Sequence, residues 1–429
     1  MDSLRRLAFW RQPHEKTDVK LRDCPPLHLT YCLNVHPGER WEENFAAIRD
    51  KAMKVRDLVA PKGLPPPGFG LGLRLSRQAA EELAGGGGIA TGGRLDEFRA
   101  FLRDNGMYAF TINGFPYGRF HGAHVKENVY APDWRTVERR DYTCRLADIL
   151  VQLLPEGVTG SISTVPGSYK AWMKSAEDVR CVAEMLAETA AHLHHLFATT
   201  GRKVALALEP EPDCFIESIR EAVDFLTGLA GQHAKEHLRR NVAAFSESQV
   251  REIWRQTVGV CLDTAHAAVE FEDPAECLLQ LESAGVRVFK VQLSSALSVL
   301  ATADSLAKLR QFCDPVYLHQ VKARGADGAI VSYSDLPEAL KQGAGAIERG
   351  EEWRIHFHVP LFFTGTGGLQ STSSTLTGRF ADMLRAGATE HLEIETYTFD
   401  VLPDFLRAAD VTESIAREYR WVLEDFLGR

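Results

Sequence analysis

The sequence predicts an α/β fold of the (β/α)8 barrel type, and three observations carry the prediction. Short apolar runs alternate with longer amphipathic segments along most of the chain. The first run ends Asn34-Val35-His36-Pro37, so the Gly-rich phosphate turn expected of an open doubly wound sheet is missing. Carboxylates and His or Gln side chains close several of the runs, which is where a parallel barrel gathers its functional groups. The 429 residues fit one domain, 1–429, because such barrels commonly exceed about 250 residues without dividing.

The apolar runs are 29–35 (LTYCLNV), 70–76 (GLGLRLS), 108–115 (YAFTINGF), 160–165 (GSISTV), 204–209 (VALALE), 258–263 (VGVCLD), 288–293 (VFKVQL), 353–362 (WRIHFHVPLF) and 392–399 (LEIETYTF). Strands covered on both faces read as continuous apolar runs, as these do. Helical patterns fall at 44–59, 95–105, 135–154, 176–198, 215–229, 247–257 and 275–284. Ser246 is placed to cap the sixth of these, its hydroxyl accepting an orphan N–H. The last segment, 412–427, predicts an amphipathic helix against the barrel wall. PKGLPPPG (61–68) and AGGGGIATGG (84–93) read as surface loops. Gly325-Ala326-Asp327-Gly328 marks a β-hairpin within 316–334. We place it in an insertion, 298–352, near the barrel mouth between strands seven and eight. Two runs compete for the eighth strand. LEIETYTF is favoured over WRIHFHVPLF, since Glu395 stands near its end as Glu209 does in VALALE. Leu206, Leu262 and Val291 are expected to fill the barrel interior.

Composition narrows the function. Net charge is −9, which opposes a broad phosphate-binding surface and hence nucleic acid. No apolar run approaches the roughly 18 residues of a membrane span. The first 20 residues carry charge without the apolar centre of a secretory signal. The eight cysteines show no C-x-x-C pair and read as reduced thiols. These features together predict a cytoplasmic protein that handles a small metabolite.

The strand ends supply the chemistry. The fifth closes on Glu209 and the sixth on Asp263, with His266 three residues on (CLDTAH). The seventh carries Gln292, and the last carries Glu393 and Glu395. His356 and His358 lie in HFHVP, His36 ends the first strand, and Asn113 and His121 follow the third. A charged group in an apolar strand costs several kcal/mol unless paired or coordinated. Taken singly, Glu209 or Asp263 caps a helix, His266 bonds to backbone, Gln292 is a buried amide and Glu393 forms a rim salt bridge. Taken together on consecutive strands, they call for a shared counter-charge. One divalent metal ion supplies it. An oxygen-rich set with an imidazole or amide suits Mn, Mg or Co, with Zn also in range. His192, His194 and His195 fall within a long helix, away from any strand end.

The set Glu209, Asp263-x-x-His266, Gln292 and a late Glu resembles the xylose-isomerase-like TIM barrels of the sugar isomerase/epimerase superfamily. That resemblance implies Glu209, Asp263, Gln292 and Glu395 as metal ligands, with His266 facing the substrate. Over nearly the whole chain, LTYCLNVHPGE, YAFTINGFPYGRFHG, VKENVYAPDW, GSISTVPGS, CLDTAH, HFHVP and HLEIETYTFDVLP resemble the EboE family of metabolite traffic proteins. The expected chemistry is metal-assisted isomerisation or epimerisation of a sugar-like metabolite. Glu209 or Glu395 would act as general base. His36, Asn113, His121, His266 and His358 would contact substrate. The alternatives are a metal-containing binding protein without turnover, and a metal-dependent hydrolase using more of the histidines. The HFHVP histidines either line the mouth or join the site.

Overall fold

The strands, in chain order, are β1 (His28–Tyr31), β2 (Phe69–Arg74), β3 (Met107–Asn113), β4 (Gly160–Thr164), β5 (Val204–Leu208), β6 (Val258–Asp263), β7 (Val288–Leu293), β8 (Ala296–Leu300), β9 (Val321–Arg324), β10 (Ile330–Tyr333), β11 (Glu352–His358), β12 (Gly365–Thr366), β13 (Leu369–Ser371) and β14 (His391–Ile394). They belong to a computed structural model that describes residues 26–60, 63–64, 66–85, 92–118, 126–241, 245–313, 316–400, 402–403 and 410–428. Eight of them form one parallel sheet in the order β1-β14-β7-β6-β5-β4-β3-β2. LEIETYTF therefore supplies the eighth barrel strand, paired in register with both β1 and β7.

The seam between β1 and β2 shows how this sequence closes a barrel. Among the described residues one backbone bridge crosses it, Cys32 to Gly72. The Thr30 hydroxyl does the rest, donating to Gly70 O at 3.0 Å and accepting from Gly72 N at 2.8 Å. The strands approach this closely because β2 has no side chain at Gly72. A Cβ there would stand 2.1 Å from Glu393 Oε1 and 2.8 Å from Thr30 Cγ2.

One expectation about the interior is corrected. Leu206, Leu262 and Val291 belong to the large core shared with the helices, whereas Ala205, Ala207, Cys261 and Phe289 cluster inside the barrel. Strand side chains alternate faces with period two, except at Phe289, which the register shift between β6 and β7 skips. Because Asp263, Lys290, Gln292, Glu393 and Glu395 point inward, the intervening leucines and valines must point out.

The helices follow the sequence pattern with small shifts. Ala176–Thr200, Glu247–Thr257 and Pro274–Ser283 lie close to their expected places, and Ser246 caps the second of these through Gln249 N. The pattern at 215–229 becomes Ile219–Thr227 followed by Leu229–Asn241. The first apolar run keeps only His28–Tyr31 as strand and then turns through a 3-10 helix, Leu33–Val35. The C-terminal helix Val411–Arg420 buries Ile415, Ala416 and Tyr419 against the wall. The expected loops at 61–68 and 84–93 lie partly outside the described residues.

Between β7 and β14 the chain builds a second, antiparallel sheet in the order β10-β9-β11-β8-β13-β12. The expected hairpin is its β9–β10 edge, turning at Gly325–Gly328. WRIHFHVPLF becomes β11, at the centre of this sheet, so the excursion is larger than a hairpin. One face is apolar: Val299, Ala323 and Trp353 lie in one row and share a core with Leu306, Leu309, Phe312 and Leu336. The other face carries Lys322 and Arg354 onto the barrel. Lys322 Nζ meets Glu217 at 2.8 Å and Glu270 at 3.0 Å. Arg354 donates to Ala268 O at 2.7 Å and lies 4.2 Å above the Phe271 ring, as Arg324 also does. The second sheet is thus fixed to the helix that carries His266.

Candidate metal centre

Asp263 closes β6 and caps the helix Thr264–Val269. Its Oδ1 accepts from Ala265 N, His266 N and Ser294 Oγ at 2.8, 2.9 and 2.7 Å. Its Oδ2 is buried without a partner. One oxygen therefore serves the backbone, and the other faces inward unsatisfied. Glu209 follows β5 and likewise leaves Oε2 buried and unpartnered. His266 sits on the first turn of the capped helix. Its donor atom lies within 4.8 Å of those of Glu209 and Asp263.

The second sheet brings two more imidazoles. His356 and His358 are two apart on β11, so both meet His266, with ring centroids 4.6 and 5.6 Å from it. The three histidines form a second ligand-spaced triad that shares His266 with the first. In each ring Nδ1 faces an acceptor: Pro210 O for His266 at 3.0 Å, Gln320 Oε1 for His356 at 2.8 Å and Glu395 O for His358 at 2.7 Å. These acceptors assign the proton to Nδ1 and leave the Nε2 lone pair for the centre. Nε2 of His356 and His358 is buried without a partner. Burial drives all three rings toward the neutral form, His266 down to about 4. Neutral imidazole is the form that binds metal.

The carboxylates lie in two tiers. In the lower tier Glu393 Oε2 is 2.5 Å from Lys290 Nζ, which also reaches Ser163 Oγ at 3.2 Å, and the pair is fully buried. Burial alone would lower the Lys290 ammonium, but Glu393, together with Cys261, Cys32 and Glu395 around it, holds the ammonium above its ordinary value. Burial also raises Glu393. We take the pair as ionised, because a 2.5 Å contact between ammonium and carboxylate is a short charge-assisted hydrogen bond. The upper tier, Glu209, Glu211, Asp263 and Glu395, has no such lysine. Among the described residues its only ion-pair partners are histidines. Burial, then mutual repulsion, pushes Glu209 and Glu395 well above the usual carboxylate range. Burial raises Glu211 to about 8.

This donor set fits a divalent cation. Carboxylate oxygens and imidazole nitrogens that are buried, unbonded and close together lack only a positive charge, and the lower tier already has its own. Glu209, Asp263, His266, His356 and His358 are the residues able to hold it. Gln292 and Glu395 stand beside them but are mutually engaged. Gln292 Nε2 donates to Glu395 Oε2, while Gln292 Oε1 accepts from Cys261 Sγ at 2.9 Å. Glu395 Oε1 accepts from Asn34 and Asn113 at 2.9 and 3.2 Å. Cys32, Glu393 and Glu395 make a further ligand-spaced group beneath.

A cavity of about 60 Å³ opens above this cluster, lined by Asn113, Phe115, Tyr130, Glu209, Glu211, His266, His356, Glu395 and Tyr397, among others. His36 bonds to the Tyr31 hydroxyl at 2.9 Å and is not part of that lining. His121 lies outside the described residues. His192 pairs with Asp148 at 2.7 Å on a helix flank, away from the cluster. Sequence reasoning did not assign Glu211, Tyr130 or Gln320 to the site, and it held a ligand role for His356 only as an alternative. The i, i+2 spacing of His356 and His358 on a strand was the available signal, since it puts both rings on one face.

The fold and cluster define a (β/α)8 barrel with a carboxylate–histidine centre at the C-terminal ends of its strands. No protein-family model matches the chain, and no curated protein does. Several solved structures are similar to it. The probable 3-DHS dehydratase AsbF, involved in petrobactin synthesis in Bacillus anthracis, is 12% identical, with 92% of this chain and 98% of that one covered and a TM-score of 0.43. The IOLI protein with a bound zinc atom is 11% identical, with 94% and 100% covered and a TM-score of 0.45. A xylose isomerase domain containing protein of Salmonella typhimurium LT2 is 13% identical, with 95% and 100% covered and a TM-score of 0.39.

Proposed function

We propose that this barrel binds one divalent metal ion through Glu209, Asp263, His266, His356 and His358 and uses it to isomerise or epimerise a small sugar-like metabolite. The observation that carries the reading is four buried donor atoms without partners, Glu209 Oε2, Asp263 Oδ2, His356 Nε2 and His358 Nε2, gathered around His266. The ion, when bound, supplies Lewis acidity toward a carbonyl and its neighbouring hydroxyl. The chain's own residues do the rest. Glu395 is held by three N–H donors and keeps its position. Glu209 and Glu211 face the cavity with fewer bonds and carry a proton between adjacent carbons, Glu211 with Tyr130 donating to its Oε1 at 2.9 Å. Asn113 and the aromatic lining hold the substrate and exclude water. The net charge of −9 favours a small molecule over nucleic acid, and the motifs quoted for the EboE family support a place in metabolite traffic.

A hydrolytic reading has one observation in its favour, the three-imidazole triad, since nitrogen-rich sites suit zinc. Metal analysis of the purified chain and titration after chelation test the common premise: about one bound divalent ion per chain is expected, and none would sink both readings. Turnover then separates them. Exchange of solvent deuterium into an aldose, ketose or cyclic ketone supports isomerisation, and ester or phosphoester cleavage supports hydrolysis. Metal retention with neither leaves a binding protein.

A further inference from the structure

His356 can serve as a ligand in only one tautomer, with its proton on Nδ1 and its lone pair on Nε2. For His266 and His358 the Nδ1 proton goes to a backbone carbonyl, Pro210 O or Glu395 O, which no substitution removes. For His356 it goes to a side chain, Gln320 Oε1, at 2.8 Å. Gln320 immediately precedes β9, and its carbonyl accepts from His356 N at 2.9 Å, so the two residues face each other across neighbouring strands. The side chain is buried, 1% exposed. Its amide cannot turn over, because Nε2 donates to Pro212 O at 3.1 Å and a carbonyl oxygen only accepts. That leaves Oε1 for His356 and fixes the imidazole proton. The same Nε2 donates to the Tyr130 hydroxyl at 3.1 Å, which sends its one proton to Glu211.

Resting on the metal centre proposed above, we infer that Gln320 is a positioning residue of that centre. It locks His356 in the tautomer that turns a lone pair toward the ion. Pro212, on the loop after β5, thus sets the tautomer of a histidine on the second sheet through one amide. The inserted sheet contributes the His356 and His358 rings and also the group that orients one of them.

The test uses the full chain after chelation, titrated with Zn²⁺, as wild type, Gln320→Met, His356→Ala and the double variant. Gln320→Met keeps side-chain length but offers Nδ1–H no strong acceptor. It should weaken Zn²⁺ binding about 10- to 100-fold, the usual effect of losing a group that orients a ligand. In the His356→Ala background the same change should have little effect, because the ring it orients is gone. The visible spectrum of Co²⁺-loaded Gln320→Met should move toward that of His356→Ala. Wild-type affinity in Gln320→Met overturns the inference, as does equal weakening with and without His356, which is the signature of general structural damage. A wild-type chain that binds no Zn²⁺ is a different result and overturns the metal centre itself.

Discussion

At the residue scale, Asp263 shows why the structural and functional readings of a strand-end carboxylate are not rivals. Oδ1 caps the following helix, and Oδ2 is left without a partner where the proposed ion would bind. Asp263→Asn keeps an oxygen for the cap but loses the charge. We expect it to melt close to wild type while Zn²⁺ or Mn²⁺ titration shows no binding. Retained affinity would remove Asp263 from the ligand set. His266 belongs to both triads, so His266→Ala should also lose most of the affinity. Full retention would return His266 to the substrate-facing role implied by the family resemblance. Lys290 and Glu393 make a second residue-scale case. Lys290→Met strands a buried carboxylate and should cost about 3–5 kcal/mol in chemical denaturation, while adding Glu393→Gln should recover much of it. An unchanged denaturation midpoint in Lys290→Met would contradict a charged pair.

At the scale of elements, the second sheet, the helix Thr264–Val269 and the C-terminal helix depend on one another. Arg354 joins the first two through Ala268 O and the Phe271 ring. Arg354→Ala should therefore weaken metal binding several-fold while the barrel's circular dichroism stays unchanged. Equal affinity would show that the sheet is positioned without it. The helix Val411–Arg420 is tied to the loop after β11 and the end of β14 by Glu418 Oε1, which accepts from Leu361 N at 3.0 Å and Thr396 Oγ1 at 2.7 Å. Burial raises this carboxyl to about 7, so the folded chain holds its proton longer than the unfolded chain does. Its contribution is therefore complete below about pH 4.5 and is lost as pH rises through about 7, an effect of about 3 kcal/mol. Glu418→Gln can still accept both bonds without titrating. Its stability relative to wild type should rise between pH 5 and pH 8 by an amount of that order, measured by denaturation at each pH. A difference that stays constant with pH would contradict the raised carboxyl.

At the scale of the whole molecule, the proposed metal binding would be coupled to folding. An ion that binds only the folded chain stabilises it by about 2.7 kcal/mol at a hundredfold excess over Kd. The melting temperature should rise by a few degrees with Zn²⁺ and fall back with chelator, and the Asp263→Asn variant should show neither shift. No helix among the described residues is long and apolar enough to cross a membrane. Cys32 and Cys261 are free thiols buried inside the barrel.

The one-dimensional pattern was sufficient for the barrel because parallel strands covered on both faces must be apolar runs, and the helices between them must be amphipathic. It also located Glu209, Asp263 and Glu395, since a carboxylate at the end of an apolar run is costly wherever the run goes. The interior layers were misassigned because apolarity says which residues are buried, and only the pleat says on which side. Leu262 and Asp263 are adjacent, and facing Asp263 inward turns Leu262 to the helices. The share of the centre given by β11 was legible only as an open alternative. His356 and His358 reach His266 only after an antiparallel sheet of six strands has folded back over the mouth, a contact set by docking through Lys322 and Arg354. The tautomer of His356 lies furthest from the sequence. It depends on Pro212, Gln320 and His356, which come together from three separate parts of the chain only in the folded molecule.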